Sequence, residues 1–169
     1  MKNRTKTLRG LTLMEALLFL GLMAVVIVGA FALYSNATGA SDMNEARTQL
    51  QTYIGGVKSF YSAQNDFSSV STAFVVNAGI APTAAVDGNA LINPWGGNTV
   101  IEGSTRDFRI TFQGVPSNAC TGLLSTGLIE QGTVIEMGVG NTLYSNTIDP
   151  ATALSLCSTE SNNVVFVSR

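Results

Sequence analysis

Residues 1–33 read MKNRTKTLRGLTLMEALLFLGLMAVVIVGAFAL. Four basic residues, Lys2, Arg4, Lys6 and Arg9, lead to Gly10, and the apolar run that follows is interrupted once, by Glu15. The strictly apolar part, Ala16 to Leu33, is 18 residues long, close to the roughly 20 that a spanning helix needs. A basic flank is retained in the cytoplasm, so the stretch predicts a single pass with everything after Leu33 on the far side of the membrane. An acid inside a bilayer costs about 2.5 kcal/mol or more unless something pairs with it. Glu15 therefore asks for a partner.

Three readings compete for this segment. A secretory signal is one, since Ala30-Phe31-Ala32 offers a small-x-small cleavage pattern. A plain single-span anchor is another, with Glu15 snorkelling toward the interface. The third accounts for the basic leader, Gly10, the apolar start and the acid together: a peptidase on the cytoplasmic face cuts between Gly10 and Leu11, and the apolar helix stays with the mature chain.

On this third reading the sequence resembles a type IV prepilin. The matching residues are Arg9-Gly10 before the cut, Leu11-Thr12-Leu13-Met14-Glu15 after it, and the apolar helix from Ala16 onward. In that family the acid is the fifth residue of the mature chain, the place of Glu15. The resemblance implies processing by a prepilin peptidase that also methylates the new amino terminus, Leu11. A first mature residue of Leu rather than Phe, and a C-terminal half unlike the type IVa branch, point to type IVb. That branch holds the major pilins of plasmid-conjugation thin pili, bundle-forming pili and colonisation pili.

Cleavage creates an ammonium on Leu11, four residues before Glu15 and on the same face of the first helical turn. The positive end of the helix dipole also favours an acid there. When subunits stack with an axial offset, Glu15 is positioned to neutralise the Leu11 amine of a neighbour and so fix the docking register. This is the role the resemblance assigns to it.

Beyond the membrane run, Met43, Ala46, Leu50, Ile54, Val57 and Tyr61 recur every three or four residues among polar ones, an amphipathic helical pattern. No proline occurs before Pro82, so nothing forces a break. The helix is expected from Leu11 to about Ser62, with Gly55-Gly56, Gly21 and Gly29 as local weak points. The head is richer in Gly, Ser, Thr and Asn and reads as short strands and loops. Strands are expected at Thr99–Glu102, Phe108–Gln113, Thr133–Val139 and Val164–Val167, and a short helix at 150–157 after Asp149-Pro150. The expected fold class is α+β, a pilin fold with a long N-terminal helix packed on a small antiparallel-sheet head. Its divisions are a leader (1–10), the helix (11–62, of which 11–35 serves the membrane and filament core and 36–62 is amphipathic) and the head (63–169).

Cys120 and Cys157 are the only cysteines. An exported chain meets an oxidising compartment, so a disulfide is expected, with two buried free thiols as the alternative. A paired loop near the C-terminus also matches the pilin resemblance. Asn93-Pro94-Trp95-Gly96-Gly97 specifies a tight turn with an anchoring ring. It resembles the Asn-Pro-aromatic-Gly-Gly turn of type IVb heads.

The chain has 9 basic and 11 acidic residues; four of the basic ones precede Leu11, leaving 5 against 11 and a net charge of −6. Arg47, Lys58, Arg106, Arg109 and Arg169 are scattered, which argues against a nucleic-acid partner. With no histidine, Ser-His, Cys-His and His-metal arrangements are excluded. Acidic pairs such as Glu130 and Glu136 lack a dense calcium-loop pattern. No catalytic residue, metal or cofactor is expected, and the chain does not read as an enzyme.

The expected function is therefore mechanical: a major pilin that waits in the inner membrane with its N-terminus cytoplasmic. It then polymerises with copies of itself into an extracellular filament for adhesion, aggregation or conjugative contact. The resemblance implies as partners the prepilin peptidase, an assembly ATPase, an inner-membrane platform protein and an outer-membrane secretin. The alternatives are a minor pilin or type II secretion pseudopilin and, from another class, a membrane-anchored periplasmic binding domain.

Overall fold

The computed structural model describes residues 12–64 and 66–169, apart from the side chains of residues 32–37. The chain divides into two compact units, one ending at Thr38 and the other Gly39–Arg169. One continuous helix, α1 (Leu13–Phe60), begins in the first and ends in the second. It is unbroken at Gly21, Gly29 and Gly55-Gly56. Lys58 in its last turn complements the negative end of the helix.

In the second unit the expected face of α1 is the buried one. Ala46, Leu50, Ile54 and Val57 are buried, Tyr61 just beyond the helix is too, and Met43 packs partly against them. Gln49 and Tyr53 join this face. Burial first, and then the nearby Glu45 carboxylate, push the Tyr53 phenol up to about 12, so it stays protonated across physiological pH. A Cβ on Gly56 would collide with the Ile80 side chain, which would have to shift to admit it.

After α1 come a short helix α2 (Thr72–Asn77) and a 3₁₀ turn (Thr83–Ala85). Strands β1 (Val86–Asp87), β2 (Ala90–Ile92), β3 (Asn98–Gly103) and β4 (Phe108–Val115) follow. Helix α3 (Ser117–Leu124), strands β5 (Glu136–Val139) and β6 (Thr142–Tyr144), helix α4 (Pro150–Leu156) and strand β7 (Asn162–Ser168) complete the order. The strands form one antiparallel sheet in the order β1-β2-β3-β4-β7-β5-β6. The last strand in sequence thus lies inside the sheet. Its residues Val164 to Ser168 are all buried, and since successive side chains point to opposite faces, β7 is covered on both. The core joins β4 (Phe108, Ile110, Phe112), β7 (Phe166) and α1, with Phe112 and Phe166 rings 5.8 Å apart edge to face.

The α+β architecture, long helix and antiparallel sheet are those expected. Strands β1, β2 and β6 come in addition to the four expected, and three further details differ. Strand β5 starts at Glu136 and not Thr133, because the amides of Thr133 and Val134 turn back to the Leu128 carbonyl (3.1 and 3.4 Å), after Gly132 at φ 69°. Helix α2 forms where a loop was expected, its Ser71 side chain accepting from the Phe74 amide (3.2 Å). Helix α3 was also unexpected.

The Asn93–Gly97 turn docks on a bulge of β4. Asn93 is 2% exposed. Its Oδ1 accepts from the amides of Trp95 (3.0 Å) and Gly97 (3.2 Å), and its Nδ2 donates to the Gln113 carbonyl (2.7 Å). That carbonyl sits where the β4–β7 register shifts between Phe112 and Val115, next to Gly114 at φ 73°. A Cβ on Gly97 would collide with the same carbonyl. Asn93→Ala removes three bonds and leaves three half-buried backbone groups without this partner, so it is expected to cost about 2–4 kcal/mol. A guanidinium midpoint equal to that of the unaltered chain would contradict this assignment.

Candidate functional site

Local chemistry sets the start of α1. Thr12 caps it: its carbonyl accepts from the amides of Glu15 (3.0 Å) and Ala16 (3.1 Å), and its hydroxyl oxygen from the Glu15 amide (3.3 Å). Glu15 is the acid of the first turn. Thr12-x-x-Glu15 has the spacing of a capping box, a signal legible in the sequence that adds Thr12 to the residues of the helix start. Gly10 and Leu11, the expected cleavage and methylation positions, lie outside the described residues.

From Leu13 to Phe31, α1 is long and apolar enough to cross a membrane, and none of this stretch is buried. Leu13 is 83% exposed and Phe31 72%. Leaving such side chains in water costs on the order of 1.5–3 kcal/mol each relative to burial, and a helix apolar on every side belongs in lipid or among other helices. An added Cβ on Gly21 or Gly29 would meet nothing within 4 Å. Packing within the chain does not require either glycine.

In the head, Cys120 of α3 and Cys157 at the end of α4 form the disulfide, with Cα atoms 5.8 Å apart and both residues fully buried. Ser117 adds a tie, its hydroxyl donating to the Cys157 carbonyl (2.5 Å). Asp149 caps α4, accepting from the Thr152 hydroxyl (2.6 Å) and amide (3.1 Å) and from the Ala151 amide (3.0 Å). The Thr152 hydroxyl foremost, then these amides, hold its carboxyl below the usual range. Leu154 of α4 is 63% exposed beside Pro116, Asn118 and Thr121.

Of the acids weighed for other chemistry, Glu130 is exposed and accepts from the Thr147 hydroxyl (2.8 Å), and Glu136 lies on β5. Among the described residues no group of three or more His, Cys, Asp or Glu gathers as a metal site. The arrangement consists of an uncovered apolar helix with one acid at its start and a head stapled near its C-terminus.

A family model described as PilS N terminal matches residues 40–169. The chain belongs to this pilin family. Its relatives include the major structural subunits of the bundle-forming pilus from Escherichia coli O111:H- and from Escherichia coli O127:H6. Each is 23% identical over 177 residues, covering 93% of the pilin and 92% of the relative. The fold is that of the type IVb pilin from Salmonella typhi, at TM-score 0.54 and 24% identity, covering 72% of the pilin and 97% of that chain. It is also that of TcpA, a type IV pilin from Vibrio cholerae El Tor biotype, at TM-score 0.52 and 14% identity, covering 76% and 99%. The expected resemblance to type IVb pilins is thus shown by family and by fold, and the expected Cys120–Cys157 disulfide is formed in this chain.

Proposed function

We propose that this pilin is the major subunit of a type IVb pilus. The observation that carries this reading is the apolar span Leu13–Phe31, uncovered within the chain, with Glu15 in its first turn. Such a helix has two apolar destinations, the bilayer and a bundle of identical helices, and the subunit passes from one to the other. In this reading residues 1–10 are a leader removed between Gly10 and Leu11, Leu11 is methylated, residues 11–35 enter the filament core, 36–62 carry the head, and 63–169 form the filament surface. Before assembly the subunit sits in the inner membrane with its N-terminus cytoplasmic.

Moving the helix from lipid to a bundle gains little hydrophobic free energy, because lipid is already apolar. Extraction therefore draws on an assembly ATPase and a platform protein, and the fibre leaves through a secretin. The filament serves adhesion, aggregation or conjugative contact. Support comes from the pilin family, from relatives named as major pilus subunits, and from the uncovered helix.

Mass spectrometry of the subunit recovered from cells tests the reading. A methylated Leu11 is expected at the N-terminus; a chain still beginning at Met1, or one starting near Leu33, overturns it.

A further inference from the structure

Arg47 and Gln51 are four apart on α1 and so share one face. With Thr126, Leu128 and Gln131, from the segment between α3 and β5, they line a cavity of about 250 Å³. The Arg47 Nε is buried and has no hydrogen-bond partner, and no carboxylate pairs with this guanidinium among the described residues. A buried donor left unpaired is costly. The cavity is lined by one cation and two amide side chains that can donate, with Leu128 as an apolar wall. It holds no acid of its own.

A carboxylate is the group that fits. Its two oxygens match the guanidinium fork, and the cavity has several times the volume of one water. The subunit after Leu11 carries 11 acids against 5 basic residues. Of these acids, Asp87, Glu102 and Glu160 are exposed and have no side-chain hydrogen bond among the described residues.

We infer that the Arg47 cavity receives a carboxylate side chain from a second copy of this chain. The inference rests on the polymer reading. A free anion in solution has only one charged residue here to hold it, whereas an acid on a docked neighbour arrives at high effective concentration. A cavity on one surface and an acid on another make a heterologous contact, which repeats without closing and suits a filament.

Charge reversal in the full-length chain tests this. Arg47→Glu is expected to lower the yield of sheared filaments at least tenfold, with the head still folded and oxidised. Adding Asp87→Arg, Glu102→Arg or Glu160→Arg is expected to restore them in one of the three cases. Filaments as abundant and salt-resistant from Arg47→Glu as from the unaltered chain overturn the inference, and so does a loss that none of the reversals repairs.

A second measurement does not need filaments. In detergent-solubilised full-length protein, the Arg47 Nε–H NMR signal is expected to shift saturably with sodium acetate, and not with sodium chloride at equal ionic strength. No acetate-specific shift overturns the inference, and a shift joined to an indifferent Arg47→Glu reduces the cavity to binding of free anions only, which overturns the second-copy assignment. If the unaltered chain makes no filaments, the polymer reading fails by itself, and the acetate titration still decides whether the cavity takes a carboxylate.

Discussion

A chain carrying Glu15→Ala is expected to enter the membrane and lose its first ten residues, yet yield no surface filaments. Membrane insertion depends on the span Leu13–Phe31, which the substitution makes more apolar. The proposed cleavage involves residues around Gly10, which the substitution leaves in place. In the proposed reading, assembly brings the first turn of α1, with Glu15, into a core of packed helices where water no longer screens charge. An ammonium at Leu11 brought there without its acid is an uncompensated buried charge, and losing one partner of a buried pair costs about 3–5 kcal/mol. That is at least about a hundredfold in the equilibrium of each added subunit.

Glu15→Gln separates charge from helix capping, because glutamine keeps the Thr12 capping-box pattern and drops only the charge. Assembly is expected to fail with Gln as it does with Ala. Electron microscopy of sheared fibres, with mass spectrometry of the membrane fraction, reads both outcomes. Normal filaments from the Ala variant would remove Glu15 from the assembly mechanism; normal filaments from the Gln variant alone would reduce its role to capping.

Removing the disulfide is expected to be the most damaging change within the head. The Cys120–Cys157 bond closes a loop with a sequence separation of 37, for which chain entropy gives about 4 kcal/mol, an upper figure since native strain subtracts from it. Domains of this size are stable by only about 5–15 kcal/mol in total. The double variant Cys120→Ser, Cys157→Ser is expected to unfold at much lower guanidinium concentration and to lose proteolytic resistance first in α3 and α4, which the bond joins. An unfolding midpoint unchanged from the oxidised parent would show that packing of Leu123, Leu124 and Ala153 suffices to hold the two helices.

The elements legible from the chain were those coded locally. The apolar period of α1 placed its buried face correctly, and β3, β4, β7 and α4 fell within a few residues of their expected places. Misses had non-local causes. Helix α3, SNACTGLL, contains Ser, Asn, Thr and Gly, all modest or poor helix formers. It is held by the burial of Cys120, Leu123 and Leu124 and by the bond to Cys157. Helix α2, TAFVVN, is rich in residues that favour strands, and Ser71 turns it helical from outside its own span. Tyr53 stands three residues after Leu50 and four before Val57, on the same helical stripe, so its burial was legible in the spacing.

Gly10, Leu11 and Glu15 are legible because a basic leader, a small residue, an apolar start and an acid follow one another within the first 15 residues of the chain. Thr12 belongs to the same local code. By itself, then, the sequence determined the membrane-length helix, the acid at its start and the presence of two cysteines, since each depends on neighbours within a few residues. The tertiary structure alone decided that β7 inserts between β4 and β5, that Asn93 meets the Gln113 carbonyl across the β4 bulge, and that Arg47 faces a cavity without an acid. Those facts arise from contacts between residues 20 or more apart in sequence, whose pairing is set by the packing of the whole head and leaves no periodic trace in the chain.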